Sequence, residues 1–120
     1  MGKKTAELTG IALDWAVAKC MGHRVAENYG SYIRIYLPDP KQSGYTLAFC
    51  PSTDWAQGGP IIEREEIDLG VYRNDCWRAS KYVGDSITAN GYGPTPLIAA
   101  MRCYVVLKLG VAVDIPDELK

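Results

Sequence analysis

Histidine is nearly absent from this chain: His23 is the single one in 120 residues. No CxxC pair occurs, and only Cys20 stands within metal-ligand spacing of His23, so no metal centre is expected. A Cys-His or Ser-His nucleophilic pair would have to use His23, which follows a helix end and precedes Arg24. A histidine in that position ordinarily serves as a capping cation. Neither a phosphate-cradling P-loop nor a dinucleotide fingerprint is present. The inventory therefore predicts no catalysis and no cofactor. Excess basic charge is lacking too. Thirteen basic and fourteen acidic residues give a net charge of −1, whereas duplex binding needs a basic face to release counterions. Direct nucleic-acid binding is not expected. No apolar run approaches the ~18 residues needed to span a bilayer, so no membrane association is expected. The Lys3-Lys4 pair has no apolar segment behind it, so the N-terminus does not read as a secretory signal.

A hydrophobic fraction of 48% and a charged fraction of 22% are those of an ordinary globule, expected as one domain over residues 1–120. Cys20, Cys50, Cys76 and Cys103 lie beside Met21, Phe49, Trp77 and Tyr104. They read as small core thiols in a reducing cytoplasm rather than as disulfides.

Thr9 predicts a helix cap, with Leu8 and Leu13 as a hydrophobic staple, for a helix running to Met21 and stopped by Gly22. Ser31–Leu37 alternates as a strand, Pro38–Gly44 is a turn-rich loop, and Tyr45–Phe49 is extended. Ser52 or Thr53 is expected to cap a turn at Asp54 that Gly58-Gly59 interrupts, with Pro60 opening a second short helix to Ile67. Val71–Arg73 and Cys76–Val83 read as strands, and Gly84-Asp85 turns the chain back through Ser86–Ala89. Asn90–Pro96 punctuates. Thr95 then caps a helix from Leu97 to Leu109, stopped by Gly110, and Val111–Ile115 suits a last strand. The first and last helices carry two charges each, so each is apolar nearly all round. The class is α+β, a small antiparallel-rich sheet packed with helices, with an α-β-α sandwich as the expected form. Surplus apolar helix surface predicts a homo-oligomer, a dimer or higher.

Cys50–Arg64 concentrates the polar chemistry. Asp54 can accept from ribose hydroxyls or an amine, and Trp55 can stack on a base. Ser52 and Thr53 add hydroxyls. Thr95 and the first N–H groups of its helix can hold a phosphate or carboxylate, and Arg64 or Arg78 can supply a charge-assisted fork. The structural alternatives are that Ser52, Thr53 and Asp54 only cap a turn, that Trp55 is core, and that Thr95-Pro96 only starts a helix.

The blocks Ser52-Thr-Asp-Trp-Ala-Gln-Gly-Gly-Pro-Ile-Ile-Glu-Arg64 and Gly93-Pro-Thr-Pro-Leu-Ile-Ala-Ala-Met-Arg-Cys-Tyr104 resemble the NinX family of phage proteins. So do the opening at Thr9–Lys19 and the ending at Lys108–Glu118. A weaker likeness, in the Ser-Thr-Asp and Thr-Pro-x-x-Ala-x-x-Arg-Cys pieces, is to the phage α-β-α sandwich domain and implies helices on both faces of a sheet. The family resemblance implies a bacteriophage accessory protein in the cytoplasm of an infected bacterium. It supplies no catalytic residues. The chain departs from the pattern at Cys50, where the family commonly has Ser, so no role passes to that side chain. The expected function is non-catalytic binding of a small polar ligand, a nucleotide-type host defence signal, at Ser52, Thr53, Asp54, Trp55, Arg64, Arg78 and Thr95. The alternative is a protein–protein adaptor on host or phage replication or recombination machinery.

Overall fold

Two helices that are apolar nearly all round need cover on more than one side. The computed structural model, which describes residues 2–26, 30–36 and 45–119, shows how each finds it. In chain order the elements are β1 (Lys3–Lys4), α1 (Gly10–Cys20), β2 (Ile33–Tyr36), β3 (Thr46–Phe49), α2 (Trp55–Glu65), β4 (Asp68–Arg73), β5 (Cys76–Val83), β6 (Ser86–Gly93), α3 (Pro96–Leu109) and β7 (Ala112–Val113). Turns of 3-10 helix precede α1 and follow β7, at Thr5–Glu7 and Asp117–Leu119. The strands form three antiparallel sets: β4-β5-β6, β2-β3 and β1-β7. This is the expected α+β class.

Within that class the layers run sheet, α3, α1. One face of β4-β5-β6 lies on α3, α1 and α2 pack on α3, and α1 also meets β2. The other face of the sheet carries the exposed Asp68, Tyr72, Arg78, Tyr82, Asn90 and Tyr92. A helix, not this sheet, is thus the middle layer. α3 buries Leu97, Met101, Tyr104 and Val105 among others, and α1 buries Leu13, Ala16 and Val17. Each fully buried Leu or Val contributes about 1.5–3 kcal/mol. The apolar circumference that pointed to an oligomer is therefore covered within the chain. Exposed apolar side chains lie mainly on strands and beyond a helix end, Val71, Val83, Ile87 and Val111 among them, with Trp55 at the start of α2 and Leu109 at the end of α3.

Several expected boundaries move for physical reasons. Thr9 holds the cap position of α1 without a side-chain bond, while the staple residues Leu8 and Leu13 are fully buried. Gly58-Gly59 does not interrupt α2, which runs on through Pro60 to Glu65. Gly58 is a packing residue: a Cβ there would overlap the Pro51 carbonyl and come within 2.6 Å of Leu97 Cδ2. β6 continues to Gly93 where sequence punctuation suggested a loop. A Cβ on Gly91 would overlap the backbone of Ala99 and Cys103, so that glycine marks the close approach of α3 to the strand. β1 was not foreseen; it gives β7 its partner, with Lys3 opposite Val113. The expected loop Pro38–Gly44 lies outside the described residues. The four cysteines are free thiols, Cys103 buried and the others half-buried.

Candidate ligand-binding site

The turn between β3 and α2 is shaped from both ends. The Cys50 carbonyl accepts from the N–H groups of Thr53 and Asp54, closing the turn. Gln57, one turn into α2, ties it back to β3: its Oε1 accepts the Cys50 N–H at 2.6 Å and its Nε2 donates to the Ala48 carbonyl at 2.8 Å. Asp14 supplies a third anchor. It is buried in α1, and its Oδ1 accepts the Ser52 N–H at 2.9 Å across 38 residues of chain. Burial pushes its carboxyl up to about 6, and the Ser52 N–H with the nearby hydroxyl pulls in the other direction.

Asp54 is the N-cap of α2, its Oδ1 accepting the Ala56 N–H at 2.9 Å. Asp54, rather than Ser52 or Thr53, fills that position. Trp55 is not core. It is 54% exposed, and it forms one wall of a cavity of about 220 Å³ shared with Ser52, Thr53, Thr95, Pro96, Leu97 and Ile98. Thr95 caps α3, its Oγ1 accepting the Ile98 N–H at 3.1 Å. The start of α3 therefore faces the same cavity as the Ser52–Trp55 turn, two segments about forty residues apart. Gly58 makes this possible, because its missing side chain lets α2 seat against Pro51 and Leu97.

Ser52 is the unusual member. It is 2% exposed, and its hydroxyl is a buried polar group without a hydrogen-bond partner among the described residues. The hydroxyl lies near enough to Asp14 to favour the charged carboxylate, yet outside proper bonding geometry.

Two expected site residues lie elsewhere. Arg64 is nine residues beyond Trp55, roughly 13 Å along α2. There its Nε bonds Glu65 at 2.9 Å and its NH2 group donates to the Tyr104 hydroxyl at 3.3 Å. Arg78 is exposed on the sheet face turned away from α3. Neither lines the cavity. His23 is not a capping cation either: its ring meets Phe49 edge-on at 5.3 Å, and burial, then nearby Arg64, lower its pKa and favour the neutral form. Burial, with Asp14 and Asp54, raises the pKa of the Cys50 thiol, so it stays protonated at neutral pH.

Sequence reasoning missed Asp14 and Gln57, which hold the turn without lining the cavity. Asp14 had a signal: a lone acid in an apolar helix implies a specific buried partner. A larger groove of about 560 Å³ also runs beside β6, lined by Thr5, Ile87, Tyr92, Val106 and Val111 among others. Its buried hydroxyl, on Thr5, is already bonded to the Gly110 carbonyl at 2.7 Å, and Lys4, Thr88, Asn90 and Tyr92 add polar groups along it. The smaller cavity is the one that Trp55 and Thr95 share.

Fold and site together describe a small α+β domain with a polar-rimmed cavity at the start of its central helix. The family model for bacteriophage P22 NinX matches residues 4–108, and the chain belongs to that family. It is a phage accessory protein. No curated protein matches the chain. Among the described residues no helix is long and apolar enough to cross a membrane.

Proposed function

We propose that this phage protein is a non-catalytic binder of a small polar ligand, of the nucleotide-type host defence signal class, acting in the cytoplasm of the infected cell. The observation that carries the reading is the half-exposed Trp55 indole on a cavity shared with Thr53, Thr95 and the apolar start of α3. An indole offers a stacking face for a base, worth about 1–3 kcal/mol, while hydroxyls and free N–H groups suit sugar or phosphate oxygens. A cavity of about 220 Å³ is below the ~300–1,000 Å³ of enclosed ligand sites. It suits one part of a nucleotide, the base against the Trp55 indole.

Calorimetry against cyclic and ADP-ribose-type nucleotides tests this. Saturable heat for one member, abolished in Trp55→Ala, is the expected result; no heat from any member ends the proposal. Trp55 exposure also favours a second reading, an adaptor whose interface centres on the indole. A stoichiometric protein partner recovered from infected cells, lost in Trp55→Ala and accompanied by no nucleotide binding, would select it.

A further inference from the structure

We infer that β6 is a self-association edge, pairing antiparallel with β6 of a second copy across a two-fold axis and joining two three-stranded sheets into one. β6 shares no residue with the Trp55 cavity. It closes the order β4-β5-β6, and its eight residues, Ser86-Ile-Thr-Ala-Asn-Gly-Tyr-Gly93, include no charge and no proline. Edge strands ordinarily carry such residues, which discourage pairing with another chain. β4, at the opposite edge, begins with Asp68 and ends with Arg73. The one interruption in β6 is the bulge at Thr88, beyond which Ala89–Gly93 stays in register with β5. Antiparallel pairing uses the backbone groups of alternate residues and turns the others outward. Among the described residues no backbone group outside the sheet bonds to β6. Side chains from α3 reach two of its carbonyls, Arg102 that of Tyr92 and Cys103 that of Ala89, but none accepts from its N–H groups. The complement of such an edge is the backbone of another extended strand.

The charges flanking the edge point to a second copy as the source of that strand. α3 runs antiparallel to β6: Ile98 and Ala99 lie against Gly93, and Cys103 lies against Ala89. The end of α3 and the exposed Val111 therefore fall at the Ile87 end of the strand, where both line the groove. Lys4 is there too, since Thr5 beside it bonds the Gly110 and Val111 carbonyls. Glu7 belongs to the other end, because Arg102 joins the carbonyl of Leu8, the next residue, to that of Tyr92. Lys4 and Glu7 are both exposed, and neither side chain has an ion-pair partner among the described residues. A two-fold axis crossing β6 near its middle lays the Ile87 end of one copy beside the Tyr92 end of the other. Lys4 of each copy is then set toward the partner subunit's Glu7, so the surface is complementary to itself in charge as well as in backbone. One strand edge with its groove makes a small interface, so the dimer is expected to dissociate on dilution.

Sedimentation velocity of the full chain over a dilution series tests this. The wild type is expected to move from dimer to monomer as it is diluted. Ile87→Lys, at an exposed position, should keep the melting temperature and weaken dimerisation by about tenfold or more. Lys4→Glu and Glu7→Lys should each weaken it several-fold, and the two changes together in one chain should restore it. Hydrogen exchange of concentrated against dilute protein locates the contact, with added protection expected in β6 and none in β4. A monomer at every concentration overturns the proposal and leaves the edge to a strand from a different protein. A dimer that Ile87→Lys leaves intact, or protection gained in β4 instead, places the contact elsewhere and overturns it equally. Failure of the double charge exchange to restore dimerisation rules out the antiparallel two-fold arrangement, and with it the proposal.

Discussion

Asp14 carries the clearest single-residue consequence. Its carboxyl is raised from 3.8 to about 6 in the folded protein by burial, so between those values the fold holds a proton that the unfolded chain has released. Its contribution to stability is complete below the lower value and is lost as pH rises through the upper one. The loss is on the order of 2–3 kcal/mol, at about 1.4 kcal/mol per pH unit. Asparagine keeps the carbonyl that accepts the Ser52 N–H and cannot ionise. Asp14→Asn is therefore expected to match the wild type near the acid end and to exceed it at neutral pH. Denaturant melts across that range check this, taking the difference between the two proteins so that His23 and other titrating groups cancel. A difference that stays constant with pH would show that Asp14 is not desolvated in solution. The residues that line the cavity were partly legible beforehand. Ser52, Thr53, Trp55 and Thr95 stood out because hydroxyls and an indole cluster beside turn and cap signals. Arg64 and Arg78 were misassigned because sequence gives a side chain's chemistry but not its face: one points along the far end of a helix, the other away from it.

Among the elements, α3 and the strand beneath it set the tightest tolerances. Alanine is the better helix former by about 1 kcal/mol, yet Gly58→Ala is expected to destabilise by about 2 kcal/mol or more, because the added Cβ overlaps the Pro51 carbonyl. Gly91→Ala should cost about 3 kcal/mol or more, since the overlap is with two backbone groups of α3 that have no room to shift. Gly70→Ala is the control: nothing lies within 4 Å of its added Cβ, and its change should stay within about 0.5 kcal/mol. Thermal melts of the three variants decide; a Gly91→Ala protein as stable as Gly70→Ala would contradict the close approach. The same glycines explain where sequence reading went astray. Cap and stop signals around nearly uncharged apolar runs located α1 and α3, and alternation located β2 and β5. Gly58-Gly59-Pro60 and Asn90–Gly93 carry the local chemistry of breaks and turns. In both places a long-range contact, invisible along the chain, explains the glycine instead. β1 escaped notice because two residues carry no periodicity.

At the scale of the whole molecule, α3 touches the three-stranded sheet, α1 and α2, so it has no partial unfolding that spares the core. Amides of Met101 to Val105 are expected to exchange only through global unfolding, while the exposed first residues of α2, Trp55 and Ala56, open more readily. Hydrogen exchange measures this directly. Equal protection at the two places would mean that the core is not organised around α3.

The tie between Asp14 and Ser52, together with Thr95 on the opposite wall, draws the cavity from three distant stretches of polypeptide. During synthesis that space has no counterpart until the last helix docks, so no shorter nascent form has anything for a guest to occupy. Occupancy would then report completed assembly, and a guest at a hundred times its dissociation constant would hold the finished molecule by about 2.7 kcal/mol while leaving every incomplete one untouched.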